Sequence, residues 1–196
     1  CLMTRTPKSL RLHIGIVGRT NTGKSSFVNY VTGQEVSITS TVPGTTTDVV
    51  EKTIELLPLG PVVLLDTAGS DDKTELGRQR IAKSLRVLDR CDVVCMVTEP
   101  DVWTEFEDRM LKEIADRQVP LIIVINKTDL GQPSGEFRAS LEKHTRHVLT
   151  CSAVHEEERD AVNSAFKEML IDIAPEDYLK PPPLAEDLVP KGGHAV

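Results

Sequence analysis

The chain has 196 residues, about one domain's worth, with 39% hydrophobic and 27% charged residues, enough to bury a single sizeable core. Its 23 basic and 30 acidic residues leave a net charge of −7 and a pI near 5.3, which argues against a domain whose main task is gripping nucleic acid by phosphate neutralisation. Only seven residues are aromatic (one Trp, two Tyr, four Phe), so the core is expected to consist of Val, Ile, Leu and Ala. In chain order, Leu10 to Val17 turns apolar and stops at Gly18, a buried strand. Ser25 to Val31 opens a helix. Val49 to Leu57 alternates apolar with charged residues, an edge strand with one wet face, and Pro58 to Pro61 makes a turn. Val62 to Leu65 is a fully buried strand, and Leu76 to Leu88 carries apolar residues at helical spacing. Asp92 to Val97 and Leu121 to Ile125 are further buried strands, with a helix over Phe106 to Ile114 between them. Phe137 to Leu141 predicts a helix, His147 to Thr150 a last strand, and Glu156 to Ile173 a long helix with an acidic first turn.

Strands alternating with helices at this spacing predict a doubly wound α/β fold, with a mostly parallel six-stranded sheet and one antiparallel edge strand. Five prolines between Pro175 and Pro190 mark residues 175–196 as a Pro-rich linker toward a further C-terminal domain. Residues 1–9 read as an N-terminal segment and 10–174 as the folded domain. The longest apolar run is Leu121 to Ile125, far short of the roughly 18 residues of a membrane span. Arg5, Lys8 and Arg11 near the start have no apolar stretch beside them, so no secretory signal is expected. Four cysteines (Cys1, Cys91, Cys95, Cys151) are too sparse for a disulfide scaffold and fit a reducing, cytoplasmic compartment.

Gly18-Arg19-Thr20-Asn21-Thr22-Gly23-Lys24-Ser25 fits G-x-x-x-x-G-K-S/T between a strand and a helix, the phosphate loop of P-loop NTPases. Its glycines let backbone N–H groups close around phosphates at a helix N-terminus. Lys24 would neutralise β/γ-phosphate charge and Ser25 would ligate Mg²⁺. Asp66-Thr67-Ala68-Gly69 ends the next buried strand, placing Asp66 to hold the metal through water and the Gly69 N–H to reach a γ-phosphate. Asn126-Lys127-Thr128-Asp129 ends another. The Asp129 carboxylate can accept from guanine N1–H and N2–H₂, a donor pair adenine lacks. The Lys127 stem can lie over the purine, and Asn126 can tie this loop to the phosphate loop. Cys151-Ser152-Ala153 ends the last strand and can aim the Ala153 N–H at guanine O6. The order and spacing of the set match guanine-nucleotide-binding proteins.

These residues resemble the translation-factor-related GTPases, in the branch of Era, EngA and the tRNA-modifying GTPase MnmE. Gly18 to Asn21 followed by Gly23-Lys24-Ser25-Ser26 is similar to that branch's first motif. Thr45-Thr46-Thr47-Asp48 is similar to its G-T-T-x-D segment, which implies Thr46 as the Mg²⁺-binding switch threonine. Thr41 to Asp48, Glu51 to Gly69 and Lys180 to Leu188 resemble, more narrowly, the GTPase domain of the FeFe-hydrogenase maturation factor family, HydF. That resemblance implies a GTP-driven switch, with dimerisation and iron–sulfur-cluster domains following this one, and hydrogenase maturation enzymes and hydrogenase as partners. No membrane or direct nucleic-acid contact is expected. Cys91 and Cys95, without further ligands nearby, read as packing, and His144 and His147 as a polar helix end.

Ser70 follows Gly69 where Ras-like proteins carry a water-orienting Gln, and it is too short for that role. Glu75, on the loop beyond, reads as a first-turn helix charge. The resemblance to the MnmE branch implies compensation by K⁺, with Asn21 and Thr45 side-chain oxygens and Ser40 and Val42 carbonyls as ligands. The expected activity is slow, K⁺-stimulated hydrolysis of GTP to GDP and phosphate. Alternatives are a ribosome-assembly or tRNA-modification GTPase, and a GTP-binding docking module with little turnover.

Overall fold

The computed structural model describes residues 11–32, 49–57, 59–67 and 77–178. Six strands are β1 (Leu12–Val17), β2 (Val49–Leu56), β3 (Gly60–Thr67), β4 (Val93–Thr98), β5 (Leu121–Ile125) and β6 (Val148–Thr150). The α-helices among the described residues are α1 (Lys24–Thr32), α2 (Gly77–Leu88), α3 (Glu105–Arg117), α4 (Gly135–Glu142) and α5 (Arg159–Ile173). The strands form one sheet in the order β2-β3-β1-β4-β5-β6. Every pairing is parallel except β2 with β3, which run antiparallel from Val49 opposite Thr67 to Leu56 opposite Gly60.

Strand alternation divides the core. Ile14, Ile16, Leu64, Cys95, Val97, Ile122 and Val124 face α1 and α5, while Leu65, Val94, Met96, Ile123 and Ile125 face α2, α3 and α4. Both faces of the central strands are covered, which is why those strands read as continuous apolar runs. The core is Val, Ile and Leu as expected. Ala contributes only Ala174 to the buried hydrophobic set among the described residues, however, and three aromatics, Phe27, Tyr30 and Phe166, are buried in it. Phe27 of α1 and Phe166 of α5 meet edge-to-face at 5.4 Å, joining the two helices of that face.

Several boundaries differ from expectation, and three of them bear on how the chain turns. β3 begins at Gly60 (φ 74°), with Pro61 opposite Glu55, so the reversal expected over Pro58 to Pro61 is shorter; Pro58 itself lies outside the described residues. Glu156–Glu158 winds as a 3-10 turn and the α-helix starts at Arg159. The segment read as linker from Pro175 stays on the fold through a second 3-10 turn, Glu176–Tyr178. Tyr178 packs against the α1/α5 core, and its hydroxyl donates to Asp92 Oδ2 at 2.9 Å. The same Asp92 oxygen accepts the His13 backbone N–H at 3.0 Å. Residues 1–10 and 179–196 lie outside the described residues.

Candidate functional site

Parallel strands deliver their C-terminal ends to one edge of a sheet, so the ends of β1, β3, β4, β5 and β6 share that edge. The β1–α1 loop wraps tightly there. A Cβ at Gly18 would lie 2.4 Å from Val97 O, and one at Gly23 (φ 84°) would lie 2.3 Å from Asn126 Nδ2, so neither position admits a side chain. Asn21 turns the loop at φ 64°, a left-handed conformation that Asn tolerates better than most residues. Thr22 is buried, and its hydroxyl donates to Arg19 O at 3.0 Å, so it offers a ligand its backbone amide rather than its side chain. α1 begins with Phe27 N–H donating to Gly23 O at 2.8 Å. Lys24, 3% exposed, donates from Nζ to the same Arg19 carbonyl at 2.6 Å, while Ser25 and Ser26 are exposed on the first turn. The backbone amides at the N-terminus of α1 and the Lys24 ammonium make this end an anion site.

Asp66 is buried at the C-terminal end of β3, beside Ile16 of β1. A serine hydroxyl on the helix and a carboxylate on the neighbouring strand are hard oxygen donors, the chemistry that Mg²⁺ takes, so these residues fit the metal that the motifs imply. Ser40, Val42, Thr45, Thr46, Gly69, Ser70 and Glu75 lie outside the described residues.

The base loop is joined to the phosphate loop as expected. Asn126, 1% exposed, donates from Nδ2 to Thr22 O at 3.1 Å and to Gly23 O at 3.4 Å. Its Oδ1 accepts from the Ala153 N–H at 3.1 Å and from Cys151 Sγ at 3.8 Å. The Ala153 amide expected to meet guanine O6 is therefore already engaged by Asn126. Burial pushes the Cys151 thiol up to about 12, so it remains a protonated donor. Lys127 (φ 63°) runs its chain over Gly23 and donates to Asn21 O and to Glu99 Oε1, the latter at 2.7 Å. Asp129 is exposed and accepts from Ser152 Oγ at 2.6 Å; that hydroxyl lowers the Asp129 pKa from its ordinary value, keeping the carboxylate an acceptor.

Two features escaped the sequence reading. Cys151 supports Asn126 although nothing in its spacing marks it. Arg19 of the phosphate loop donates from Nε to Glu107 Oε1 at 2.6 Å, and the readable signal was the Thr104-x-x-Glu107 capping box. The other singled-out residues have structural partners. Cys95 is core, Cys91 Sγ lies 3.6 Å from Leu88 O, His144 stacks on Trp103, and His147 Nε2 lies 2.6 Å from Asp172 Oδ2.

Residues 13–127 match the family described as 50S ribosome-binding GTPase. The tRNA modification GTPase MnmE of Synechococcus sp. (strain JA-2-3B'a(2-13)) is 42% identical over 126 residues, 62% of this chain and 26% of that protein. GTPase Der of Chloroflexus aurantiacus (strain ATCC 29366 / DSM 635 / J-10-fl) is 34% identical over 169 residues, 84% of this chain and 33% of that protein. The chain thus spans about a quarter to a third of the length of these curated relatives. A crystal structure of Era in complex with MgGDPNP and nucleotides 1506-1542 of 16S ribosomal RNA shares the fold, with a TM-score of 0.60 at 24% identity over 89% of this chain and 59% of that one. No helix among the described residues is long and apolar enough to cross a membrane. With a phosphate loop, a guanine-type base loop and a family match over 13–127, the chain is a P-loop GTPase domain and belongs to the family described as 50S ribosome-binding GTPase.

Proposed function

We propose that the chain is the GTP-binding, GTP-hydrolysing switch domain of a larger cytoplasmic scaffold protein. The observation that carries this is the Asn126 junction, which ties a phosphate loop to a base loop presenting the exposed Asp129 carboxylate. Asp129 accepts from guanine, the amides of residues 21–26 surround the phosphates, and Lys24 neutralises their charge. Ser25, Asp66 and Thr46 would hold Mg²⁺, which would supply neutralisation of phosphate charge. The Gly69 N–H would meet the γ-phosphate; water attacks its phosphorus, the bond to the β–γ bridging oxygen breaks, and GDP leaves with phosphate as the second product. Residues 10–174, continued to Tyr178, are the GTP-binding unit, and the remainder leads toward other domains.

With Ser70 in place of a Gln, hydrolysis is slow unless a cation assists. Asn21, Thr45, Ser40 and Val42 are the K⁺ ligands of this reading, supported by the similarity to MnmE. Multiple-turnover phosphate release at fixed ionic strength should be faster in K⁺ than in Na⁺ and far faster with GTP than with ATP. Equal rates in the two salts remove the cation, equal rates with the two nucleotides remove the guanine assignment, and no turnover leaves a docking module.

For the role of the whole protein, the name of the tRNA modification GTPase MnmE favours tRNA modification, and the family description favours a ribosome-associated role. Hydrogenase maturation, with a cluster domain beyond this one and the maturation enzymes and hydrogenase as partners, rests on the resemblance over residues 41–48, 51–69 and 180–188. All of the first and last of these lies outside the described residues. The net charge of −7 favours a protein partner over an RNA one. Co-purification of the full-length protein with tRNA or ribosomal subunits, against co-purification with hydrogenase maturation enzymes, separates the two.

A further inference from the structure

The connection from β4 to α3 carries charges that the functional reading leaves unused. Glu107 is 0% exposed, and its two oxygens have different tasks. Oε2 accepts from the Thr104 backbone N–H at 2.9 Å and from Thr104 Oγ1 at 2.6 Å, closing the capping box of α3. Oε1 accepts from Arg19 Nε at 2.6 Å, across 88 positions of sequence. The Arg19 carbonyl is the acceptor shared by Lys24 Nζ and Thr22 Oγ1. Glu99, at the end of β4, lies between the two nucleotide loops. Its Oε2 is 3.5 Å from Arg19 Nη2, and its Oε1 is 2.7 Å from Lys127 Nζ.

We propose that Glu107 and Arg19 are positioning residues for the nucleotide: the buried α3 carboxylate holds the phosphate loop in its binding shape, and Glu99 extends that hold to the base loop. The chain of contacts is continuous. The capping box fixes the carboxylate, the carboxylate fixes the Arg19 side chain, and Arg19 sets the carbonyl that organises Lys24 and Thr22. Gly18 pressed against Val97 O pins the same loop from the sheet, so it is held on two sides. A buried ion pair adds little net stability, because desolvation offsets the attraction, so stability alone is a weak reason for this arrangement. The inference rests on the guanine-nucleotide reading above.

The test measures release of N-methylanthraniloyl-GDP and thermal unfolding on the whole 196-residue chain. Arg19→Met strands a buried carboxylate and should lower the melting temperature while speeding release. Glu107→Gln keeps an oxygen for the Thr104 cap, which a capping box accepts, but weakens the grip on Arg19. Combining the two leaves no buried charge, so the melting temperature should return toward wild type. Release should nevertheless stay roughly tenfold faster, the scale of one lost charge-assisted hydrogen bond. Glu99→Gln, at a partly exposed position, should speed release with little change in melting. Release in the double variant that recovers together with the melting temperature makes the pair purely structural and overturns the inference, as does unchanged release in every variant. A wild-type chain that holds no labelled GDP instead overturns the guanine-nucleotide reading, and this inference with it.

Discussion

Replacing Asn126 by Ala removes a buried side chain that, together with Lys127, joins the phosphate and base loops directly. Two of its contacts, to Thr22 O and from the Ala153 N–H, are ordinary hydrogen bonds at 3.1 Å. The contact to Gly23 O at 3.4 Å and the thiol contact from Cys151 at 3.8 Å are weak. At about 1 kcal/mol net for each ordinary bond, Asn126→Ala should cost about 2 kcal/mol. For a chain of this size that corresponds to a fall of about 4–8 °C in melting temperature. The same contacts preform the loops, so a nucleotide binding the variant must order them itself. Affinity for GTP should then fall by up to about thirtyfold, the equivalent of 2 kcal/mol. Titration calorimetry with Mg²⁺–GTP and Mg²⁺–GDP, alongside circular-dichroism melting, reads both quantities. GTP affinity within about twofold of wild type, despite the lower melting temperature, would refute the claim that Asn126 preorganises the site.

Asp129→Asn exchanges an acceptor for a donor and should move preference from guanine to xanthine nucleotides, by roughly 1–3 kcal/mol on the scale of a bidentate base contact; competition between GTP and XTP measures it. Lys24→Ala and Ser25→Ala should lose Mg²⁺–GTP turnover while keeping the wild-type circular-dichroism spectrum, because each removes a phosphate or metal contact and little core volume; unfolding of both variants would mark these residues as structural. The His147 hydrogen bond, followed by the Arg146 charge, holds the Asp172 carboxyl below its ordinary value. A depressed folded value means stability that is present above the unfolded value of about 3.9 and lost as pH falls through the lower folded value. Urea unfolding across that range should show a difference between wild type and Asp172→Asn that is constant at neutral pH and vanishes in acid.

How much the sequence discloses depends on the range of the force involved. β5 matches its expected bounds, Leu121 to Ile125, because a strand buried on both faces needs an unbroken apolar run. α3 was read as Phe106 to Ile114 from periodicity but runs from Glu105 to Arg117, since its ends are set by the Thr104 cap and by Gln118 in the left-handed conformation (φ 54°). The phosphate and base loops were legible as motifs because their chemistry is local. Glu107 was not: on an exposed helix face the same residue would be an ordinary first-turn charge, and only a partner 88 positions away makes its burial tolerable. Cys151 likewise gains its role only when β6 lies beside β5 and brings the thiol to Asn126.

Asp92 has a consequence for how this unit is connected. One carboxylate oxygen takes both the His13 amide at the start of β1 and the Tyr178 hydroxyl where the described chain departs. Entry and exit therefore sit side by side, at the sheet edge opposite the nucleotide loops. In connectivity the domain is a closed ring, and a ring of this kind can be spliced into a host loop as a cassette without stretching either strand of the host. It can also be recut. A short linker joining the two ends, with a new opening at exposed Gly131, where an added Cβ would meet nothing within 4 Å, leaves the sheet order in place.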